Sequence, residues 1–162
     1  MLAAGPGQQA RAAGFYLDNV GTPGSLGTAG AANVTNSWGP DAAWANPAGL
    51  VGTNQSKVMT ASLQILAPTA EFDPEIAEAG GSDGGDAGDT ALIPSFFYAQ
   101  PLTDDWYIGF GVSALQGGGA DYGDDFAGRY GAIDVALTGF GATLSFGYRV
   151  NERLSLGIGG TL

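Results

Sequence analysis

From Lys57 to the last residue, apolar positions alternate with small or polar ones, and the alternation is interrupted by turns. The segment Lys57–Phe72 (KVMTASLQILAPTAEF) places Met59, Ala61, Leu63, Ile65 and Ala67 on one face, and Val58, Thr60, Ser62 and Gln64 on the other. A period of two over about ten residues predicts a β-strand with one buried or lipid-facing side. Ala91–Gln100 (ALIPSFFYAQ) predicts a second strand with apolar residues on both faces and Pro94 inside it. Proline within a strand implies a bulge or a gap in the ladder. Trp106–Leu115 alternates most cleanly: Trp106, Ile108, Phe110, Val112 and Ala114 against Tyr107, Gly109, Gly111 and Ser113. Ile133–Val150 sets Phe140, Ala142, Leu144, Phe146 and Tyr148 against Gly139, Gly141, Thr143, Ser145 and Gly147. Its first part, Ile133, Val135 and Leu137, has the opposite parity, which predicts a bulge near Thr138-Gly139. After a tight turn at Asn151-Glu152, Leu154, Leu156, Ile158 and Leu162 alternate with Ser155, Gly157, Gly159 and Thr161.

The connections alternate in length. Loop 73–89 is long, turn 101–105 short, loop 116–131 long and turn 151–153 short. That is the meander of an outer-membrane barrel, with long loops outside and short periplasmic turns. One strand face is apolar, suited to lipid, and the other carries Gly, Ser, Thr and Gln. Trp106, Tyr107 and Tyr148 fall near the short-turn ends, where an interfacial aromatic girdle is expected. A soluble β-sandwich would also alternate, but would carry more Lys, Arg and Glu on its wet face.

The first third behaves differently. Gly14–Ser56 sustains neither a period of 2 nor one of 3.6, and Gly21, Pro23-Gly24, Gly27 and Gly30 punctuate it as turns. Asp41 is placed to cap a turn at Ala42-Ala43-Trp44; Asn46-Pro47 reads as an N-cap followed by proline at the first helical position. These features predict a compact plug of turns and one-turn helices, with Trp38 and Trp44 as buried-type side chains. Ahead of it, Met1–Ala12 ends in the small-x-small pair Ala10 and Ala12 left of a possible signal-peptidase cut. Only Leu2-Ala3-Ala4 resembles the end of an apolar signal core. The expected organisation is therefore 1–12, a signal-peptide remnant or flexible tail; 13–56, the plug; and 57–162, five strands.

Composition narrows the chemistry. The chain has 162 residues, with Lys+Arg 5, Asp+Glu 16 and a net charge of −11, and neither His nor Cys. Five basic residues cannot make a nucleic-acid footprint. A Ser-His-Asp triad, a thiolate nucleophile, a disulfide framework and His- or Cys-ligated metals are all excluded. The 8 Phe, 6 Tyr and 3 Trp sit in apolar runs and argue against disorder. No run of about 18 apolar residues offers a helical span, which leaves a barrel as the way to cross a bilayer. Glu71, Asp73, Glu75, Glu78, Asp83, Asp86 and Asp89 cluster in the first long loop. GGSDGGDAGD resembles one imperfect calcium repeat, but its spacing fits no EF-hand, so the loop reads as a solvated outer loop. Asp121, Asp124 and Asp125 read the same way. No phosphate loop, paired catalytic carboxylates in a cleft, or nucleophile with a base is present, so no cofactor or enzymatic activity is expected.

Five strands cannot close a membrane barrel, since single-chain bacterial barrels use eight or more. The chain is expected to be the N-terminal part of a longer protein. In this order, Ala13-Gly14-Phe15, a small-residue plug containing Asn46-Pro47-Ala48-Gly49-Leu50, and a meander beginning at Lys57 resemble the FadL/TodX family. These are outer-membrane transporters of long-chain fatty acids and aromatic hydrocarbons. Further matches are Ile93-Pro94, Ala99-Gln100-Pro101-Leu102, Tyr148-Arg149-Val150-Asn151 and Leu156-Gly157-Ile158-Gly159. The resemblance implies an all-β, transmembrane antiparallel β-barrel, 14-stranded, with an N-terminal hatch. Here it would supply the hatch, with its Asn46, Pro47 and Ala48 motif, and the first five strands.

It also implies passive uptake of a hydrophobic ligand that leaves sideways through a gap at a kink in the third strand. Gly117, Gly118 and Gly119 fall at that kink. On the residues alone they can equally begin an outer loop. The resemblance further places Ala13, Gly14 and Phe15 close to the substrate pocket. Implied partners are a fatty acid or aromatic hydrocarbon, outer-membrane lipid and lipopolysaccharide, and the barrel-assembly machinery of a Gram-negative bacterium. The alternative function is a structural or adhesive outer-membrane barrel whose acidic loops bind ions or partners.

Overall fold

The computed structural model describes residues 22–73, 80–131 and 133–162. Five antiparallel strands form one sheet in sequence order: β1 (Val58–Leu66), β2 (Ala91–Pro101), β3 (Trp106–Asp121), β4 (Asp134–Arg149) and β5 (Ser155–Thr161). Each neighbour is also the next element in the chain, so every connection is a hairpin, as local pairing favours. No described helix is long and apolar enough to cross a membrane, a statement that leaves strands aside.

Residues 22–56 form short helical pieces: α1 (Pro23–Gly27), a 3₁₀ turn Asn33–Thr35, α2 (Ala42–Ala45) and a 3₁₀ helix Pro47–Thr53. They lie on one face of the sheet, called the inner face here. Ala42, Ala43 and Leu50 from this segment bury against Ala99 of β2 and Tyr107 of β3 to form the core. Leu50 is fully buried, and burying such a side chain stabilises by about 1.5–3 kcal/mol. The opposite face exposes Met59, Leu63, Ile65, Leu92, Phe140 and Ile158. A contiguous apolar face of this kind is unusual on a soluble monomer and suits lipid.

The strand faces fall as the alternation predicts in β1, in β3 up to Ala114, and in β5, but several details differ. β1 ends at Leu66, short of Phe72, and β3 runs on through Gly117–Gly119 to Asp121, where a loop was expected from residue 116. The bulge lies on β3, not on β4. Ala114 pairs with Phe140 and Gln116 with Gly139, so Leu115 is the extra residue. The level in the sheet matches the expectation, but β4 keeps one parity throughout, so Leu137 shares the inner face with Gly141 and Ser145. Apolar residues on the inner face near the outer end, not a kink in β4, explain its mixed pattern.

Pro94 makes no bulge against β1, where Leu63↔Pro94 is part of an unbroken register. Tyr107 is fully buried under the helical layer rather than in an aromatic girdle; Trp106 and Tyr148 do face outward, with ring centroids 4.6 Å apart. Trp38 is 61 % exposed, whereas Trp44 is partly buried and meets Phe97 edge-on at 6.2 Å.

Candidate functional site

The seat of the helical layer is built from residues too small to obstruct it. A Cβ on Gly157 would overlap the backbone nitrogen of Ala48. One on Gly147 would lie 2.8 Å from Pro47 O, and one on Gly109 2.6 Å from Ala43 Cβ. Glycine at 147 and 157 therefore lets the backbone of Pro47-Ala48 rest directly on β4 and β5, and glycine at 109 lets Ala43 and Leu50 close on β3. The Asn46 side chain does not cap the following helix. Its amide donates to Val34 O at 2.7 Å and ties the 3₁₀ turn 33–35 to this seat. Pro47 occupies the first helical position as expected.

Asp41 likewise caps nothing. Its backbone is already helical, and its buried carboxylate accepts from Thr22 Oγ1 at 2.6 Å and Asn36 Nδ2 at 2.7 Å. A buried carboxylate needs such donors, so Asp41 binds three turns of the layer into one unit.

Polar side chains lock this unit to the wall. Ser145 Oγ donates to Ala43 O at 2.5 Å. Arg149 Nη2 donates to Val51 O at 3.1 Å and to the Tyr107 hydroxyl at 2.9 Å. Gln55 Nε2 donates to the same hydroxyl at 2.9 Å and to Asp104 O at 2.7 Å. The Arg149 guanidinium also lies 5.6 Å from the Tyr107 ring centroid. This network was missed in the sequence, although a signal existed: Arg149 continues the inner-face parity of Ser145 and Gly147, a cation on a face of small residues.

Above the seat, the wall changes. The β2–β3 ladder runs from Pro101↔Tyr107 to Phe96↔Val112 and then stops, while β2 stays paired to β1 and β3 to β4. The two chains meet again at the Gly88↔Ala120 bridge, where Asp89 N donates to Gly119 O at 3.2 Å. Pro94, which has no amide hydrogen, and the Leu115 bulge both lie in the parted stretch. So do Gly117 and Gly118, with Gly119 at the closing end; all three stay paired to β4, at Thr138, Leu137 and Ala136, Gly118 with a φ of +148°. Ile93, Ser95, Ser113 and Ala114 remain buried, so side chains fill the parting in this structure.

Two buried side-chain oxygens among the described residues lack a hydrogen-bond partner: Ser25 Oγ in the helical layer and Gln64 Oε1 on β1. A buried oxygen left in this way costs about 1–3 kcal/mol, and such groups are few in native structures.

The long loops dock on one another beyond the sheet. Ser82 N donates to Asp125 O at 2.7 Å and Ala127 N to Ser82 O at 2.8 Å. Phe126, buried, stacks on Tyr122 at 4.5 Å and meets Phe72 edge-on at 5.2 Å. The Asp86 carboxylate accepts from Ala70 N at 3.0 Å and Gly88 N at 3.1 Å; those amides, Ala70 first, lower its pKa. Among the described residues no group of acidic side chains is arranged to hold a metal ion. Glu75, Glu78, the segment 1–12 and the Ala13, Gly14 and Phe15 triplet lie outside the described residues.

Comparison with known proteins places this geometry. Residues 3–162 match the family model described as outer membrane protein transport protein (OMPP1/FadL/TodX). The chain is 27 % identical over 158 residues to the long-chain fatty acid transport protein of Salmonella typhi, covering 93 % of this chain and 34 % of that protein. It is 34 % identical over 70 residues to outer membrane protein P1 of Haemophilus influenzae, covering 43 % of this chain and 15 % of that one. The crystal structure of a Pseudomonas aeruginosa FadL homologue superimposes with a TM-score of 0.69 at 28 % identity, over 91 % of this chain and 37 % of that one. The chain thus spans about a third of the length of the fatty acid transport protein and of the solved homologue. An inner face seating short helical pieces, an outer apolar face and hairpin-connected antiparallel strands together form part of a transmembrane β-barrel, and the chain belongs to the OMPP1/FadL/TodX family of outer-membrane transport proteins.

Proposed function

We propose that this chain carries the hatch (13–56) and the exit-bearing wall (57–162) of a transporter that takes up hydrophobic compounds across the outer membrane. The substrate class is long-chain fatty acids or aromatic hydrocarbons, and the passage is passive and non-enzymatic. The observation that carries the reading is the parting of β2 from β3 between Phe96↔Val112 and Gly88↔Ala120. A wall that has lost its ladder while keeping both outer pairings can yield sideways at the cost of side-chain rearrangement alone.

In this reading Asn46, Pro47 and Ala48 hold the hatch on β4 and β5. Gly117, Gly118 and Gly119 keep the parting free of bulk, and Ala13, Gly14 and Phe15 border the substrate pocket. A ligand crossing there exchanges the lumen for lipid. Its affinity at each stage comes from buried apolar area, at about 25 cal/mol per Å². The ligand thus arrives from the lumen and leaves into the lipid of the outer membrane; lipopolysaccharide and the barrel-assembly machinery are the remaining partners of this reading. Uptake of labelled oleate or toluene by cells carrying the complete gene, measured against a deletion strain, tests it. Equal uptake by both strains, for both compounds, would refute it.

A further inference from the structure

We propose that Gln64, together with the Ser62–Ser95 pair, forms a receptor at the inner mouth of the β2–β3 parting for the hydrogen-bond-donating head of an amphipathic ligand. The head is an alcohol or an un-ionised carboxylic acid. The inference rests on the transport reading above and adds a chemical preference to it.

Gln64 lies on β1 opposite Ile93, in the stretch of β2 that has lost β3. Its neighbours Leu63 and Ile65 face outward and are exposed, so alternation puts Gln64 on the inner face. Its Oε1 is enclosed and has no partner. An amide oxygen only accepts, so what completes this site must donate. On the same face, Ser62 and Ser95 stand opposite each other with their hydroxyl oxygens 2.7 Å apart. One of the two hydrogens makes that contact, which leaves the other hydroxyl hydrogen to rotate toward a third group. Ser95 and Ile93 are both buried. Once the side chains that fill the parting move aside, a neutral hydroxyl can donate to Gln64 and accept from a serine, with its tail along Ile93, which that movement uncovers. A plain hydrocarbon satisfies neither polar group, and an ionised carboxylate has no hydrogen to give Gln64.

The test uses the complete protein in a deletion strain, with labelled 1-dodecanol and labelled dodecane as paired probes and immunoblots of outer-membrane protein as the accumulation control. Gln64→Leu is expected to lower dodecanol uptake about tenfold relative to dodecane, the size of effect one buried hydrogen bond gives. If Gln64→Leu fails to accumulate, Ser95→Ala carries the test, with a smaller shift of the same ratio expected. An unchanged dodecanol-to-dodecane ratio in a variant that accumulates normally would overturn the receptor and leave transport intact. Failure of the wild-type protein to take up dodecanol would overturn the receptor, and the transport reading falls with it only if oleate and toluene uptake also equal those of the deletion strain.

Discussion

Removing the guanidinium of Arg149 while keeping its apolar stem isolates the lock between the helical layer, which the proposed function makes the plug, and the wall. Arg149→Met deletes the bonds to Val51 O (3.1 Å) and the Tyr107 hydroxyl (2.9 Å), yet Gln55 still reaches Tyr107. Hydrogen bonds from a charged group contribute about 1.5–3 kcal/mol each, and two that share a network add incompletely, so about 2–4 kcal/mol is expected. At about 1.4 kcal/mol per factor of ten, the ratio of docked to undocked plug falls about 30- to 700-fold. The complete protein in planar bilayers reports this directly, because an undocked plug admits hydrated ions. Arg149→Met should show conductance bursts far more often than wild type. Tyr107→Phe should show an intermediate rate, since Arg149 keeps Val51. The double variant should fall short of the sum of the two by about 1 kcal/mol, the coupling expected of groups in contact. Conductance and denaturation midpoint both unchanged in Arg149→Met would refute the argument that this network holds the plug.

Three other expectations follow from the same geometry. Gly157→Val places side-chain carbons where Ala48 N now lies, and overpacking of this kind costs about 1–3 kcal/mol or more; its denaturant midpoint should drop, while Gly160→Ala, with open space around it, should leave the midpoint unmoved. Phe126→Ala removes the ring between Phe72 and Tyr122, so trypsin should cut at Arg129 much faster than in wild type while the membrane-embedded strands stay protected. The Asp86 pKa is lowered from its ordinary 3.8, so its contribution to loop order is complete at neutral pH and is lost as pH falls through the lowered folded-state value; the protection factors of the Ala70 and Gly88 amides, taken relative to intrinsic exchange at each pH, should be unchanged between pH 7 and 5, and Asp86→Asn should lower them at pH 7.

The strands were legible because inner and outer faces differ in kind. Met59, Leu63 and Ile65 against Thr60, Ser62 and Gln64 state both the period and which side meets lipid. Asn46-Pro47, with the glycines of the last two strands, likewise foreshadowed a close seat, though not which strands would form it. What escaped reading was long-range. Leu115 looks like any strand leucine, and only its pairing partners across β4 reveal it as the extra residue. Asp41 and Asn46 stand where caps belong, but partners distant in sequence, Thr22 and Val34, claim their side chains. Tyr107 satisfies the rule for an interfacial aromatic near a short turn, yet its parity matches Gly109 and Gly111, and parity decided. Gly117–Gly119 was open between strand and loop because glycine carries no face; the pairing to β4 makes it strand.

The central claim is that hydrophobic ligand leaves between β2 and β3, past the glycine run. It is tested most directly by measuring labelled oleate uptake in a deletion strain that expresses the complete protein with Gly117 and Gly119 each replaced by leucine, Gly118 being kept because its φ of +148° does not suit a leucine. Assembly in the outer membrane is checked in parallel. The account predicts that uptake falls to the level of the deletion strain while the barrel still assembles. Uptake at the wild-type rate by the assembled variant would contradict it and move the exit elsewhere in the wall.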